Sequence, residues 1–231
     1  MPDPNQPSPD LSALRQREIR SFVLRQGRLT SGQASAMSNL MPQYGFYLEQ
    51  DWRNEFKREV VLEIGIGNGD ALLACAAADP ARDYLGAEVH APGVGRVLLG
   101  IKVNNLSNAR VFHGDAVVLL RKQVPNQSLA QINIWFPDPW HKARHNKRRL
   151  IQPEFVELLA DKLKPHGVLH LATDWEPYAE HMREVLSASS RFVALDASVV
   201  DELRNRRPNT HFEQRGVKLG HGVWDLLYRK F

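Results

Sequence analysis

Val60-Val61-Leu62-Glu63-Ile64-Gly65-Ile66-Gly67-Asn68-Gly69 is an apolar run that breaks into glycines at alternate positions. A short apolar run ending in glycines reads as a strand buried on both faces, the situation of a parallel sheet covered by helices. The glycines let the backbone turn tightly and leave room for a ligand to lie against it. An alanine- and leucine-rich stretch, Gly69 to Ala78, follows and stops at Asp79-Pro80, a helix-ending signal. Working outward, the alternation repeats. Strands are predicted at Tyr84–Val89, Arg110–His113, Ile132–Phe136 and Val168–Ala172, and helices at Pro92–Asn104, Val117–Lys122, Pro153–Leu163 and Pro177–Ser187. Two closing strands, Phe192–Leu195 and Val223–Arg229, are joined by a connection without an obvious helix and predict an antiparallel edge hairpin. The expected fold class is α/β: a doubly wound, seven-stranded, mostly parallel sheet with helices on both faces. Ligands in such sheets bind outside the carboxyl ends of the strands.

A chain of 231 residues, 43% hydrophobic and 24% charged, suits one soluble domain of this class. The four prolines of MPDPNQPSPD predict a disordered tail over residues 1–13, ahead of a single domain over 14–231. Within that domain, residues 14–58 read as a basic N-terminal extension, with Arg15, Arg17, Arg20, Arg25 and Arg28 interleaved with apolar side chains. The N-terminal stretch lacks the basic start and apolar core of a signal peptide, and no apolar run approaches the roughly 20 residues of a membrane span. One cysteine, Cys75, excludes an intrachain disulfide. The nine histidines show no zinc-binding spacing, and no metal is expected. These features predict a cytoplasmic protein.

The glycine loop departs from the dinucleotide fingerprint G-x-G-x-x-G, because Asp70 stands where the third glycine belongs. The loop is therefore expected to lack the close helix packing that presents a helix N-terminus to a pyrophosphate. Glu63 would repel a pyrophosphate and suits an amino group or hydroxyl, which favours S-adenosylmethionine over a nicotinamide cofactor. Glu88 ends the second strand, where an acid bonds ribose hydroxyls in this fold class. Asp115, in His113-Gly114-Asp115-Ala116, follows the third strand and can accept from an adenine amino group.

The fourth strand ends Phe136-Pro137-Asp138-Pro139-Trp140, where two prolines fix the direction of one carboxylate and Trp140 can stack on a base. His141 to Arg149 reads HKARHNKRR, a cationic run fit for phosphate contacts. The fifth strand ends Thr173-Asp174-Trp175, again a carboxylate beside an aromatic at the carboxyl edge.

At RSFVLRQGRLT (Arg20–Thr30), Val61–Gly69, EVHAPGVG (Glu88–Gly95), FPDPWHKARHNKRR (Phe136–Arg149), Thr173–Trp175 and Arg207–Leu226 the chain resembles the bacterial tRNA (guanine-N7-)-methyltransferase family. FPDPWHKxRHxKRR is long and chemically unusual. The resemblance implies a Rossmann-like class I methyltransferase fold, S-adenosylmethionine as cofactor and a variable-loop guanosine of tRNA as target. It implies that Glu63, Gly65, Gly67, Glu88, Asp115, Ala116 and Asp138 bind the cofactor, and that Lys142, Asp174, Thr210, His211, Phe212 and Glu213 engage the substrate. Arg144, His145, Asn146, Lys147, Arg148 and Arg149 are implied to contact RNA, aided by the basic extension. His211 departs from the lysine of many members and carries little charge at pH 7. Asp138 and Asp174 are the two candidates for acting on the base, and the sequence does not rank them. An enzyme acting on an exocyclic amine would more naturally carry Asn/Asp-Pro-Pro-aromatic after the fourth strand. No protein partner or membrane is implied, and monomer and homodimer both stay open.

Overall fold

The computed structural model describes residues 21–22, 27–208 and 222–231. Three helices come first: α1 (Ser31–Asn39), α2 (Met41–Tyr44) and α3 (Trp52–Glu55). Then follow β1 (Glu59–Ile64), α4 (Asp70–Ala78), β2 (Arg82–Glu88), α5 (Ala91–Val103), β3 (Ala109–His113), α6 (Ala116–Lys122) and β4 (Leu129–Trp135). After a 3-10 turn over Ala143–Arg148 the chain forms α7 (Pro153–Lys162), β5 (Leu163–Thr173), α8 (Glu176–Ala188), β6 (Phe192–Ala194), α9 (Ala197–Arg206) and β7 (Trp224–Lys230).

The sheet has seven strands in the order β3-β2-β1-β4-β5-β7-β6. Strands β1 to β5 run parallel, and β7 is antiparallel to both β5 and β6. The predicted class and the antiparallel closing pair are both present. One expectation is corrected: the connection between the closing strands contains α9, and β7 returns inside β6 to pair with β5. The two valines of its Ala197-Ser198-Val199-Val200 opening are poor helix formers, which masked that helix. Strand order reverses between β1 and β4: β2 and β3 extend the sheet to one side, β5 and β7 to the other. Crossover helices diverge at such a switch point and open a crevice above the strand ends.

Strand alternation sorts the core into two layers. Val60, Leu62, Ile132, Ile134, Leu169, Leu171 and Leu226 face α6, α7 and α8 in one cluster. Val61, Tyr84 and Val111 face α4 and α5 in the other, where α1 and α2 add Ala36, Leu40 and Met41. Residues 31–56 are thus built into the fold as well as preceding it: Phe46, Trp52 and Phe56 pack ring on ring, and Phe46 N–H donates to Val111 O at 2.9 Å. Thr30 caps α1 with a capping box shared with Gln33, and Gln33 donates to Pro92 O at 3.1 Å, tying α1 to the start of α5.

On the second face, beyond α4, the layer turns polar. His170 Nε2 lies 2.8 Å from Asp225 Oδ1, and Arg207 Nε donates to the same oxygen at 2.9 Å. Arg207 Nη2 reaches Asp225 Oδ2 at 3.2 Å, and all three side chains are buried. Burial raises the Asp225 carboxyl, but hydrogen bonds from His170 and Arg207 outweigh it and hold it below the ordinary carboxylate range. Burial outweighs Asp225's pull on His170 and lowers it, so the imidazole is neutral at pH 7 and donates its Nε2 hydrogen.

Candidate active site

The crevice at the β1/β4 switch point is a cavity of about 440 Å³, the size of a small-molecule site. Its floor is the loop after β1. Gly65 has φ +78°, and a Cβ there would meet nothing within 4 Å, so the backbone at this point lies open. Gly69 has φ +77°, and a Cβ there would stand 2.1 Å from Val97 Cγ2 of α5. The loop packs closely against a helix, and that helix is α5 rather than the α4 it leads into. The close approach sits at Gly69, one residue before the position occupied by Asp70, and Asp70 pairs instead with Arg96 at 2.9 Å.

Three acids converge on this loop from successive strand ends. Glu63 is 5% exposed, and among the described residues no donor reaches its carboxylate. Burial, reinforced by Glu88, raises it to about 8, so the carboxyl is neutral at pH 7 while no cation is beside it. Glu88 accepts from Gly67 N–H through Oε2 and from Val89 and His90 N–H through Oε1, each at 2.8 Å. It cross-links the loop to the start of α5 and keeps acceptor capacity for one further donor. Asp115 caps α6 by accepting from Val117 N–H at 2.8 Å through one oxygen. The capping and ligand-binding roles of Asp115 therefore hold together, since the same carboxylate lines the cavity beside Ala116.

Among the described residues the lining includes five carboxylates, Glu63, Asp70, Glu88, Asp115 and Asp138, and no lysine or arginine. Apolar Ile66, Ala87, Phe136 and Leu150 complete the wall, with Ser21 and Phe22 from the N-terminal segment. A polyanionic cofactor would find repulsion here. Carboxylates and an apolar wall of this kind suit a cationic molecule with hydroxyl groups and a flat ring.

The opposite wall is the turn after β4. Phe136 N–H still donates to Ala172 O at 2.7 Å, but Phe136 and Trp140 both hold positive φ, +54° and +49°. Left-handed backbone at bulky residues costs about 1–3 kcal/mol each and persists only where surroundings over-determine it. Trp140 is held on three sides. Its Nε1 donates to Ser21 O at 3.1 Å, the Arg148 guanidinium lies 4.6 Å over its ring, and His145 meets it edge-on at 5.8 Å. The ring expected to stack on a base already carries a guanidinium.

The family model described as "Putative methyltransferase" matches residues 57–226. The tRNA (guanine-N(7)-)-methyltransferase of Alcanivorax borkumensis is 51% identical over 220 residues, covering 93% of this chain and 92% of that protein. The enzyme of the same name from Idiomarina loihiensis is 52% identical, covering 92% and 89%. The chain belongs to the tRNA (guanine-N(7)-)-methyltransferase family. Among solved structures, an rRNA methylase from Streptococcus thermophilus superposes with a TM-score of 0.51 at 12% identity, covering 89% of this chain and 99% of that one, a likeness of fold alone.

The structure divides the residues that the family resemblance singles out. Glu63, Gly65, Gly67, Glu88, Asp115, Ala116 and Asp138 line one cavity. Asp174 is half-buried in the turn after β5 and does not line it. Trp175 beside it meets His141 edge-on at 4.4 Å, so the turns after β4 and β5 touch. Lys142, Arg144 and Lys147 are exposed, and Arg148 and His145 half-buried, around the 3-10 turn. Partial desolvation, then Arg144, Arg148, Lys142 and Lys147, lowers the His145 imidazole, which is neutral at pH 7. Asn146 is a turn residue, its backbone oxygen accepting from Gln152 Nε2 at 3.1 Å. Arg149 parts from the run: it is 6% exposed, with its guanidinium turned inward. Thr210, His211, Phe212 and Glu213 lie outside the described residues. Sequence reasoning missed the inward Arg149, the Asp225–Arg207–His170 network and the place of Ser21 and Phe22 at the cavity. Only the last had a signal, since both sit in RSFVLRQGRLT.

Proposed function

We propose that this methyltransferase moves the methyl group of S-adenosylmethionine to N7 of the variable-loop guanosine of tRNA, nucleotide 46. The observation that carries the reading is the junction at Phe136–Trp140. On one side lies a cavity lined, among the described residues, by acids and no lysine or arginine, and on the other a shelf of cations. The names of the relatives supply the atom and the RNA class. S-adenosylmethionine, when bound, supplies a methyl carbon made electrophilic by a sulfonium.

Glu63 has the burial and lone pairs to take an ammonium, and Glu88 has a remaining acceptor for a ribose hydroxyl. Asp115 and the first N–H groups of α6 suit the adenine edge, over the open backbone of Gly65 and Gly67. Guanine N7 carries an exposed lone pair, so this chain removes no proton before the transfer. Its residues must align the reacting atoms and exclude water, which can contribute several kcal/mol. As N7 gains a bond the ring becomes cationic, and a fixed carboxylate stabilises that charge. Asp138 and Asp174 fill this role between them, one toward the cofactor amino group and one toward the base. Lys142 and the Thr210–Glu213 segment hold the nucleoside. Arg144, Lys147 and Arg148 take phosphates, with His145 and Asn146 between them and residues 14–58 extending the RNA surface. A cytoplasmic location follows from such a substrate; among the described residues no helix is long and apolar enough to cross a membrane.

The test is transfer of labelled methyl to unmodified tRNA, with the product cleaved chemically at N7-methylguanosine. Label at a single variable-loop guanosine is the expected result. Label at another atom or site overturns the assignment.

A further inference from the structure

Arg149 closes the most cationic stretch of the chain, yet it is the one cation of HKARHNKRR whose side chain is buried. Its Nε donates to Pro139 O at 3.0 Å, and Nη1 donates to Pro177 O at 3.4 Å. The guanidinium lies 4.9 Å over the Tyr178 ring, and Tyr178 in turn accepts from Ile151 N–H at 3.2 Å through its hydroxyl. Burial lowers the Arg149 guanidinium somewhat, and arginine stays charged all the same.

The two carbonyls matter because of their addresses. Pro139 follows Asp138 directly, at the outer end of the β4 turn. Pro177 stands three residues after Asp174, in the first turn of α8. One planar fork therefore ties the two turns that present the two candidate carboxylates. Both anchors are prolines, whose restricted φ transmits the constraint along the backbone. The His141–Trp175 contact links the same two turns a second time.

We infer that Arg149 is a positioning residue that sets the separation of Asp138 and Asp174, and that it makes no contact with RNA. The inference rests on the reading that these two carboxylates serve methyl transfer. A lysine would keep the charge but has a single nitrogen, which cannot span two carbonyls as a rigid fork does.

The test compares Arg149→Lys with Lys147→Gln, an exposed member of the same run, well below their melting temperatures. For Arg149→Lys we expect kcat to fall by about tenfold or more while KM for tRNA stays within about twofold, as misplacement of reacting groups predicts. The slope of tRNA affinity against salt should not change. For Lys147→Gln that slope should shrink by roughly 0.7–0.9, the share of a single neutralised phosphate, with weaker tRNA binding. An Arg149→Lys enzyme with unchanged kcat, or with weaker tRNA binding and a smaller slope, overturns the proposal.

A measurement without mutation guards against a variant that fails to fold. In the wild-type protein the Arg149 Nε–H resonance should exchange slowly with water and stay unmoved by saturating tRNA, whereas those of Arg144 and Arg148 shift. A tRNA-induced shift at Arg149 overturns the proposal. Asp138→Asn and Asp174→Asn are assayed alongside. If both keep full kcat, the reading of the carboxylates falls and the clamp with it. If either loses kcat while Arg149→Lys keeps it, only the clamp falls.

Discussion

The two sides of the Phe136–Trp140 turn differ in the sign of their charge. The cavity on one side collects Glu63, Asp70, Glu88, Asp115 and Asp138, and the 3-10 turn on the other collects Lys142, Arg144, Lys147 and Arg148. A net charge of +4 conceals this division. The separation teaches how a single crevice can admit a cationic cofactor and a polyanionic substrate without either occupying the other's place. Asp138 stands at the border, and its substitution is the hardest blow to the division. Asp138→Asn is expected to lower kcat by about 10²–10³, the scale of losing one preorganised electrostatic group, measured by labelled methyl transfer at saturating substrates.

The cationic side can be broken next. Changing Arg144, Lys147 and Arg148 to glutamine together should weaken tRNA binding at least about tenfold at physiological salt. It should also reduce the salt slope by roughly 2–3, because three phosphates would no longer be neutralised by the protein. Filter binding across a salt series checks both. Cofactor affinity should not follow, and if it did, the two sides would not be separate.

On the acidic side the expected effect is smaller and depends on pH. Glu63 holds its proton up to about 8 in the empty protein and, on the function proposed above, would release it to take an ammonium. Cofactor affinity should therefore weaken as pH falls below 8, by at most about tenfold per unit, and titration calorimetry should record proton release. The stability consequence has the opposite direction. Glu63 is raised above its ordinary value of 4.5, so the folded protein keeps a proton that the unfolded chain loses between these pH values. That contribution is fully present below pH 4.5 and fades as pH rises toward 8. Glu63→Gln should flatten both dependences and raise the melting temperature of the empty protein at pH 8. The last expected change is read on folding alone: Gly69→Ala meets Val97 in left-handed backbone and should destabilise by about 1–3 kcal/mol in denaturant melts.

These sites are not equally legible in the sequence. The strand–glycine–helix unit at Val60–Ala78 is local, and its periodicity alone carries the fold class. The acids at successive strand ends follow from the same periodicity, because a doubly wound sheet brings every carboxyl end to one edge. Arg149 is not legible. Composition groups it with Lys142, Arg144, Lys147 and Arg148, and only the path of a single 3-10 turn decides which of them faces inward. Arg207, Asp225 and His170 come from three elements far apart in sequence, and nothing local announces that they meet. The helix α9 is hidden by paired valines, although the strand pair it separates is plain in the pattern of apolar residues.

The meeting of Arg207 with Asp225 has a consequence for how the chain can vary. The pair joins the end of α9 to the start of β7 as a reversible cross-link. Closing a chain segment costs only about 0.6 kcal/mol more for each doubling of its length, and here α9 and β7 hold the two anchors in place. A longer chain between the two anchors would therefore add little to the closure cost of folding.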